Sequence, residues 1–174
     1  MKNEHHYNTS IVWTGNRGTG TSSYRDYARS YDLSTPGKPL IAGSSDATFR
    51  GDANKWNPED MLLASLSSCH MLSYLHLCAD AGISVVAYSD NAEGAMQLNS
   101  DGSGHFTSVT LHPQVTIAAG HDLTQADALH HRAHELCFIA NSVNFPVACE
   151  ATSAHAANVV RRGIENSFMN GALV

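Results

Sequence analysis

The chemistry open to this chain rests on two thiols and a few charged side chains. Cys69 lies in the run Asn57-Pro58-Glu59-Asp60-Met61-Leu62-Leu63-Ala64-Ser65-Leu66-Ser67-Ser68-Cys69-His70. A capping asparagine, a proline suited to the first turn and an apolar continuation write out a helix start. Glu59 stands at that start, ten residues ahead of the cysteine. A second thiol, Cys137, closes the stretch Ala133-His134-Glu135-Leu136-Cys137. Thiols, a carboxylate and nearby arginines are the parts of a thiol redox site.

Helix geometry limits which of these groups can meet. Cys78 is nine residues beyond Cys69, which puts it on the opposite face about 13 Å along the axis. A disulfide needs Cα atoms within about 7 Å, so Cys78 reads as core. Cys137 belongs to a separate helix that can pack against the first, and Cys149, beyond Pro146, is the other thiol that could resolve an oxidised Cys69. Glu59 lies about 15 Å from Cys69 along one straight helix. The two share a site only through a long arginine or through a second copy of the chain, and this favours a dimer. Arg50, in Thr48-Phe49-Arg50-Gly51-Asp52, and Arg17, in Gly15-Asn16-Arg17-Gly18, are the candidate cations, since a guanidinium can fork onto a carboxylate while facing a thiolate. Arg50 is preferred.

His130 and His134 stand four apart, as paired metal ligands do on a helix, and His70 adjoins Cys69. No Cys-x-x-Cys motif and no paired carboxylate completes a shell, so neither a metal nor a cofactor is expected. The glycines of Gly15-Asn16-Arg17-Gly18-Thr19-Gly20 do not lead into a helix, and a phosphate loop there is not expected.

The elements that must position these groups alternate between sheet and helix. Residues 7 to 50 read as β structure, with a hairpin turning at the early glycines. A helix runs from Pro58 to about Ala81 and is apolar nearly all round, as a central element would be. Ser84 to Leu98 and His105 to Ala118 read as two strands of an antiparallel pair across the turn-rich Asn99 to Gly104. Asp122 caps a second helix reaching about Ala140, and the stretch from 151 to 174 reads as a final strand and tail. The class is α+β.

With 174 residues, 43% of them hydrophobic, the chain suits a single domain with its own core. Ten Lys and Arg against sixteen Asp and Glu give a formal charge of −6, which argues against nucleic-acid or anionic-membrane binding. Ser, His and Asp interrupt the long helix too often for a membrane span. The N-terminal residues show no signal-like segment, so the expected location is cytoplasmic, where four cysteines are more often free or catalytic than a disulfide framework.

Together, the Asn-Pro-Glu helix start, the cysteine ten residues after its glutamate and the later helical cysteine resemble the OsmC/Ohr family of thiol-dependent hydroperoxide reductases, over most of residues 10 to 150. Relatives usually carry proline after the second cysteine, where this chain has Phe138. The resemblance implies antiparallel sheets around two long central helices in an intertwined homodimer. It implies that Cys69 reduces organic hydroperoxides to alcohols through a sulfenic acid, that Cys137 closes a disulfide with it, and that a lipoyl protein or small dithiol regenerates the enzyme. It places Glu59 with Arg50, or alternatively Arg17, beside the thiol. A second reading is a non-catalytic member whose helices frame an apolar ligand pocket.

Overall fold

A computed structural model describes residues 4–157; residues 158–174 of the expected tail lie outside the described residues. Strands β1 (Ser10–Trp13), β2 (Tyr31–Ser34) and β3 (Ile41–Gly43) form an antiparallel sheet of their own. Its first connection is not a tight glycine turn but the long loop from Thr14 to Ser30. That loop is held locally: Trp13 Nε1 donates to the Ala28 carbonyl at 2.8 Å, and Ala28 N to the Gly15 carbonyl at 2.8 Å. The Arg29 guanidinium lies over the Tyr24 and Tyr27 rings, 4.2 Å from each centroid, a cation–π arrangement that fastens the loop to itself.

Helix α1 (Pro58–Asp80) starts as expected, with the Asn57 side chain accepting from Asp60 N at 2.7 Å. Gly82, at φ 72°, takes the left-handed turn that lets the chain leave the helix. By length and composition α1 could cross a bilayer, but Leu66, His70, Tyr74 and Cys78, at i, i+4 spacing, are buried inside the fold, as in a core helix of a globular domain. Helix α2 (Leu123–Leu136) is capped by Asp122 and packs on α1. It stops short of Ala140. Cys137 takes an extended backbone at the C-cap, and Asn141 Nδ2 donates to the Glu135 carbonyl at 2.9 Å, satisfying one of the carbonyls that a helix end leaves open.

The two expected central strands are four. β4 (Val85–Asp90) and β5 (Glu93–Leu98) share one run, and β6 (Gly104–Leu111) and β7 (Pro113–Ile117) the next. β5 pairs antiparallel with β6 across the turn at Asn99 to Ser103, as the sequence indicates, while β4 pairs antiparallel with β7. The break is held by Asp90, whose carboxylate accepts from the His112 backbone N at 2.7 Å and from the Ser67 hydroxyl on α1. The exit strands break at the same level. β8 (Val147–Cys149) runs parallel to β6, and β9 (Thr152–His155) parallel to β7. Two cores result. Leu66, Val109 and Leu111 fill one; Tyr74, Cys78, Ile83, Val115, Ile117, Ala126 and Ala133 fill the other, and Cys78 is core as expected. His70, one turn from Leu66 and one turn from Tyr74, lies at the seam between them.

Candidate functional site

Cys69 faces the end of α2. It is half-buried and Cys137 is fully buried, and neither is in a disulfide. Burial, followed by the Cys69 sulfur beside it, pushes the Cys137 thiol up to about 11. Ala140 N donates to Cys137 Sγ at 3.4 Å, fixing that sulfur within the turn that follows α2. Cys137 therefore stays a thiol at neutral pH and does not compete for an electrophile. Cys69 is the sulfur of the pair that a small molecule can approach.

The charged partners are elsewhere in the chain. Glu59 lines a cleft of about 330 Å³ with Asp46, Phe49, Leu63, Met96 and Phe106, and Cys69 takes no part in that lining. One carboxylate oxygen of Glu59 is buried with no hydrogen-bond partner among the described residues, a costly state for a charged group. The Tyr31 hydroxyl is raised by burial and then by the Glu59 charge. Arg17 and Arg50 line one further cleft, with Arg29, Ser44 and Asp52. Both are exposed, and among the described residues neither joins an ion pair. Arg50 has φ 65°, the one left-handed non-glycine residue described. Gly51 follows it because a Cβ there would collide with the Ser45 carbonyl. Within the chain the structure thus brings the two thiols together and the two arginines together, and joins neither pair to Glu59.

A group that sequence spacing did not assemble lies at the seam of the two cores. His70 Nε2 and His130 Nδ1 are 3.0 Å apart, and Cys149 Sγ is 3.5 Å from the first and 3.9 Å from the second. Both histidines are buried and Cys149 is half-buried. The Tyr74 ring stacks on His130, with centroids 3.8 Å apart. His134, the i+4 partner expected for His130, lines a cleft with His130 and Cys149 but is not in the cluster. The third donor comes instead from β8, 79 residues from His70, and no local motif announces it.

Burial and then the neighbouring His70 push His130 down to about 4, against the raising effects of Asp127 and Asp90; His70 is lowered too, first by burial and then by His134. In the unfolded chain His130 takes up a proton as the pH falls through its ordinary 6.5, whereas in the folded chain it resists until about 4. Its neutral burial therefore costs nothing above pH 6.5 and an increasing amount below it. In metal-free protein, denaturant titrations at pH 7 and pH 4.5 should show wild type losing on the order of 2 kcal/mol more than His130→Gln. Equal losses would mean that His130 is not buried as a neutral group.

Comparison with known proteins gives one reading. The OsmC-like protein family model matches residues 51–152, more than half of the chain. Among solved structures, an OsmC-like protein of unknown function from Vibrio cholerae is 32% identical, with a TM-score of 0.77 over 86% of this chain and 100% of that one. An organic hydroperoxide resistance protein OsmC from Legionella pneumophila (20% identity, TM-score 0.61, 87% of this chain and 99% of that one) and the organic hydroperoxide resistance protein OhrB of Bacillus subtilis (18%, 0.58, 84% and 98%) share the fold. No curated protein sequence matches. The capped helix, the paired thiols and the family match over both converge: the chain belongs to the OsmC-like protein family.

Proposed function

We propose that the chain is a thiol-dependent hydroperoxide reductase acting on organic hydroperoxides, in oxidative-stress defence. The observation that carries this reading is the accessible Cys69 beside the buried, proton-retaining Cys137. The Cys69 thiolate attacks the distal peroxide oxygen, the O–O bond breaks, and the departing alkoxide takes a proton to leave as alcohol. Cys69 is then a sulfenic acid, which condenses with the Cys137 thiol, forming a disulfide and releasing water. A dithiol, from a lipoyl protein or a small molecule, reduces the disulfide by exchange. Likeness to hydroperoxide resistance proteins supports the substrate class.

An unperturbed thiol is about 3% thiolate at pH 7, so even full ionisation gains only about thirtyfold. Most of the acceleration must come from placing the peroxide and stabilising its departing oxygen. That calls for Arg50, or Arg17, and Glu59, which one protomer holds apart from its thiols. We propose that a homodimer completes the site. Leu72 on α1, Ile11 on β1 and Phe138 after Cys137 are 63%, 65% and 79% exposed, and each such side chain gains about 1.5–3 kcal/mol when fully covered. The strong contacts of the β1–β2–β3 sheet are among its own strands, which leaves it free to wrap a second copy. The Glu59 oxygen and the two arginines, without partners among the described residues, fit the same explanation.

Stopped-flow mixing of the reduced protein with cumene hydroperoxide and with hydrogen peroxide is the direct test. Loss of the Cys69 thiol should be faster with the organic peroxide and should end in a Cys69–Cys137 disulfide. Thiols that survive both peroxides would favour the second reading, a non-catalytic ligand-binding member, which the separation of arginines from thiols in one protomer also supports.

A further inference from the structure

We infer that His70, His130 and Cys149 form a binding site for a borderline-soft divalent cation such as Zn2+, separate from the thiol pair. The first argument is geometric. Zinc bound tetrahedrally by two imidazoles and a thiolate holds its nitrogens about 3.3 Å apart and each nitrogen about 3.5 Å from sulfur, from bond lengths near 2.0 and 2.3 Å. The separations here are 3.0, 3.5 and 3.9 Å, so shifts of a few tenths of an ångström would seat the ion. The second argument is convergence. The donors come from three elements, α1, α2 and β8, and meet at the seam of two apolar cores, a place where polar groups are costly unless they serve one another or a ligand.

Access and chemistry agree with this. A cleft of about 420 Å³, lined by Asp127, His130, His131, His134, Val147, Cys149 and Ala151, opens onto the cluster and leaves a fourth position for water. Three protein ligands with one open position is an exchangeable arrangement rather than a closed structural one. The far nitrogens, His70 Nδ1 and His130 Nε2, find no partner among the described residues. They carry the ring protons when the near nitrogens hold a metal, and without the acceptors that usually raise ligand basicity the affinity falls below that of structural zinc sites. Binding displaces the Cys149 proton, and no electrons move.

The exposed pair His5 and His6 can hold Zn2+ without a thiolate, so the test must report on sulfur. Co2+ added to the reduced full-length protein should give a sulfur-to-cobalt charge-transfer band in the near ultraviolet, saturating at one ion per chain and abolished by Zn2+. The band should persist in Cys69→Ser and in Cys137→Ser and vanish in Cys149→Ser. Zn2+ affinity in Cys149→Ser should fall by more than about 100-fold, since losing even an outer partner costs about 10–100-fold. On the wild type, independent of any variant's folding, Zn2+ should slow alkylation of Cys149 at least about tenfold while leaving that of Cys69 unchanged, read by peptide mass spectrometry. Absence of the band, its survival in a folded Cys149→Ser, its loss in Cys69→Ser, or Cys149 alkylation indifferent to Zn2+ would overturn the site.

Discussion

Cys69→Ser should reduce hydroperoxide consumption to the buffer rate while leaving the fold intact. The serine hydroxyl nearly matches the thiol in size, and a half-buried position tolerates the exchange, but no accessible oxyanion exists there at neutral pH and the reaction loses its nucleophile. Cys137→Ser should behave differently. One equivalent of peroxide should still be consumed, and the sulfenic acid on Cys69, with no thiol beside it, should persist or climb to sulfinic acid under excess peroxide. Mass spectrometry of the two variants after one and ten equivalents separates these outcomes. Turnover by Cys69→Ser would refute the assignment, and a Cys69–Cys149 disulfide in the oxidised wild type would move the resolving role. Cys149 is the weaker candidate on geometry, since its sulfur faces the ring nitrogens of His70 and His130, whereas Cys137 is the thiol beside Cys69.

How far the fold could be read from the sequence depended on how local each determinant is. The Asn57-Pro58 start of α1 and the Asp122 start of α2 were legible because caps act within three residues. The end of α2 was not, because it depends on Asn141 reaching back to Glu135. Strand runs announced themselves by composition, yet their division into two sheets did not. It turns on Asp90, which binds the His112 amide 22 residues away and Ser67 23 residues away, and period-two patterning carries no trace of such a clamp. The first hairpin departs from its sequence pattern for a related reason: glycines near residue 15 look like a turn, but the chain continues to Ser30 before pairing.

The candidate site shows the same division. Cys69 and Glu59 were found from one helix and its start, and their 15 Å separation followed from rise per residue. The nearness of Cys69 to Cys137 follows from the family resemblance, since no spacing rule relates two thiols 68 residues apart on separate elements. The third donor to the histidine pair was invisible: His130 suggested His134 by helical periodicity, while the fold offers Cys149 from a strand. Sequence alone does not relate Arg17 to Arg50, and the structure puts both in one cleft.

A mixture of two inactive variants should recover activity if the site is shared between chains. Glu59 is about 15 Å from the Cys69 of its own helix by rise per residue, and it lines a cleft in which Cys69 takes no part. In a Glu59→Ala/Cys69→Ser heterodimer whose Glu59 serves the partner's thiol, one site carries both lesions and the other carries neither. Random pairing after unfolding and co-refolding makes half of the dimers heterodimers, each with one intact site of two, so about a quarter of wild-type activity should return. Separately refolded variants set the baseline, and native mass spectrometry of a tagged chain verifies the exchange. Activity that stays at the baseline with heterodimers present would place both residues of a site on one chain, leaving α1 to bend or a long side chain to span the gap. The recovered fraction thus reads out the assembly and the catalytic geometry together.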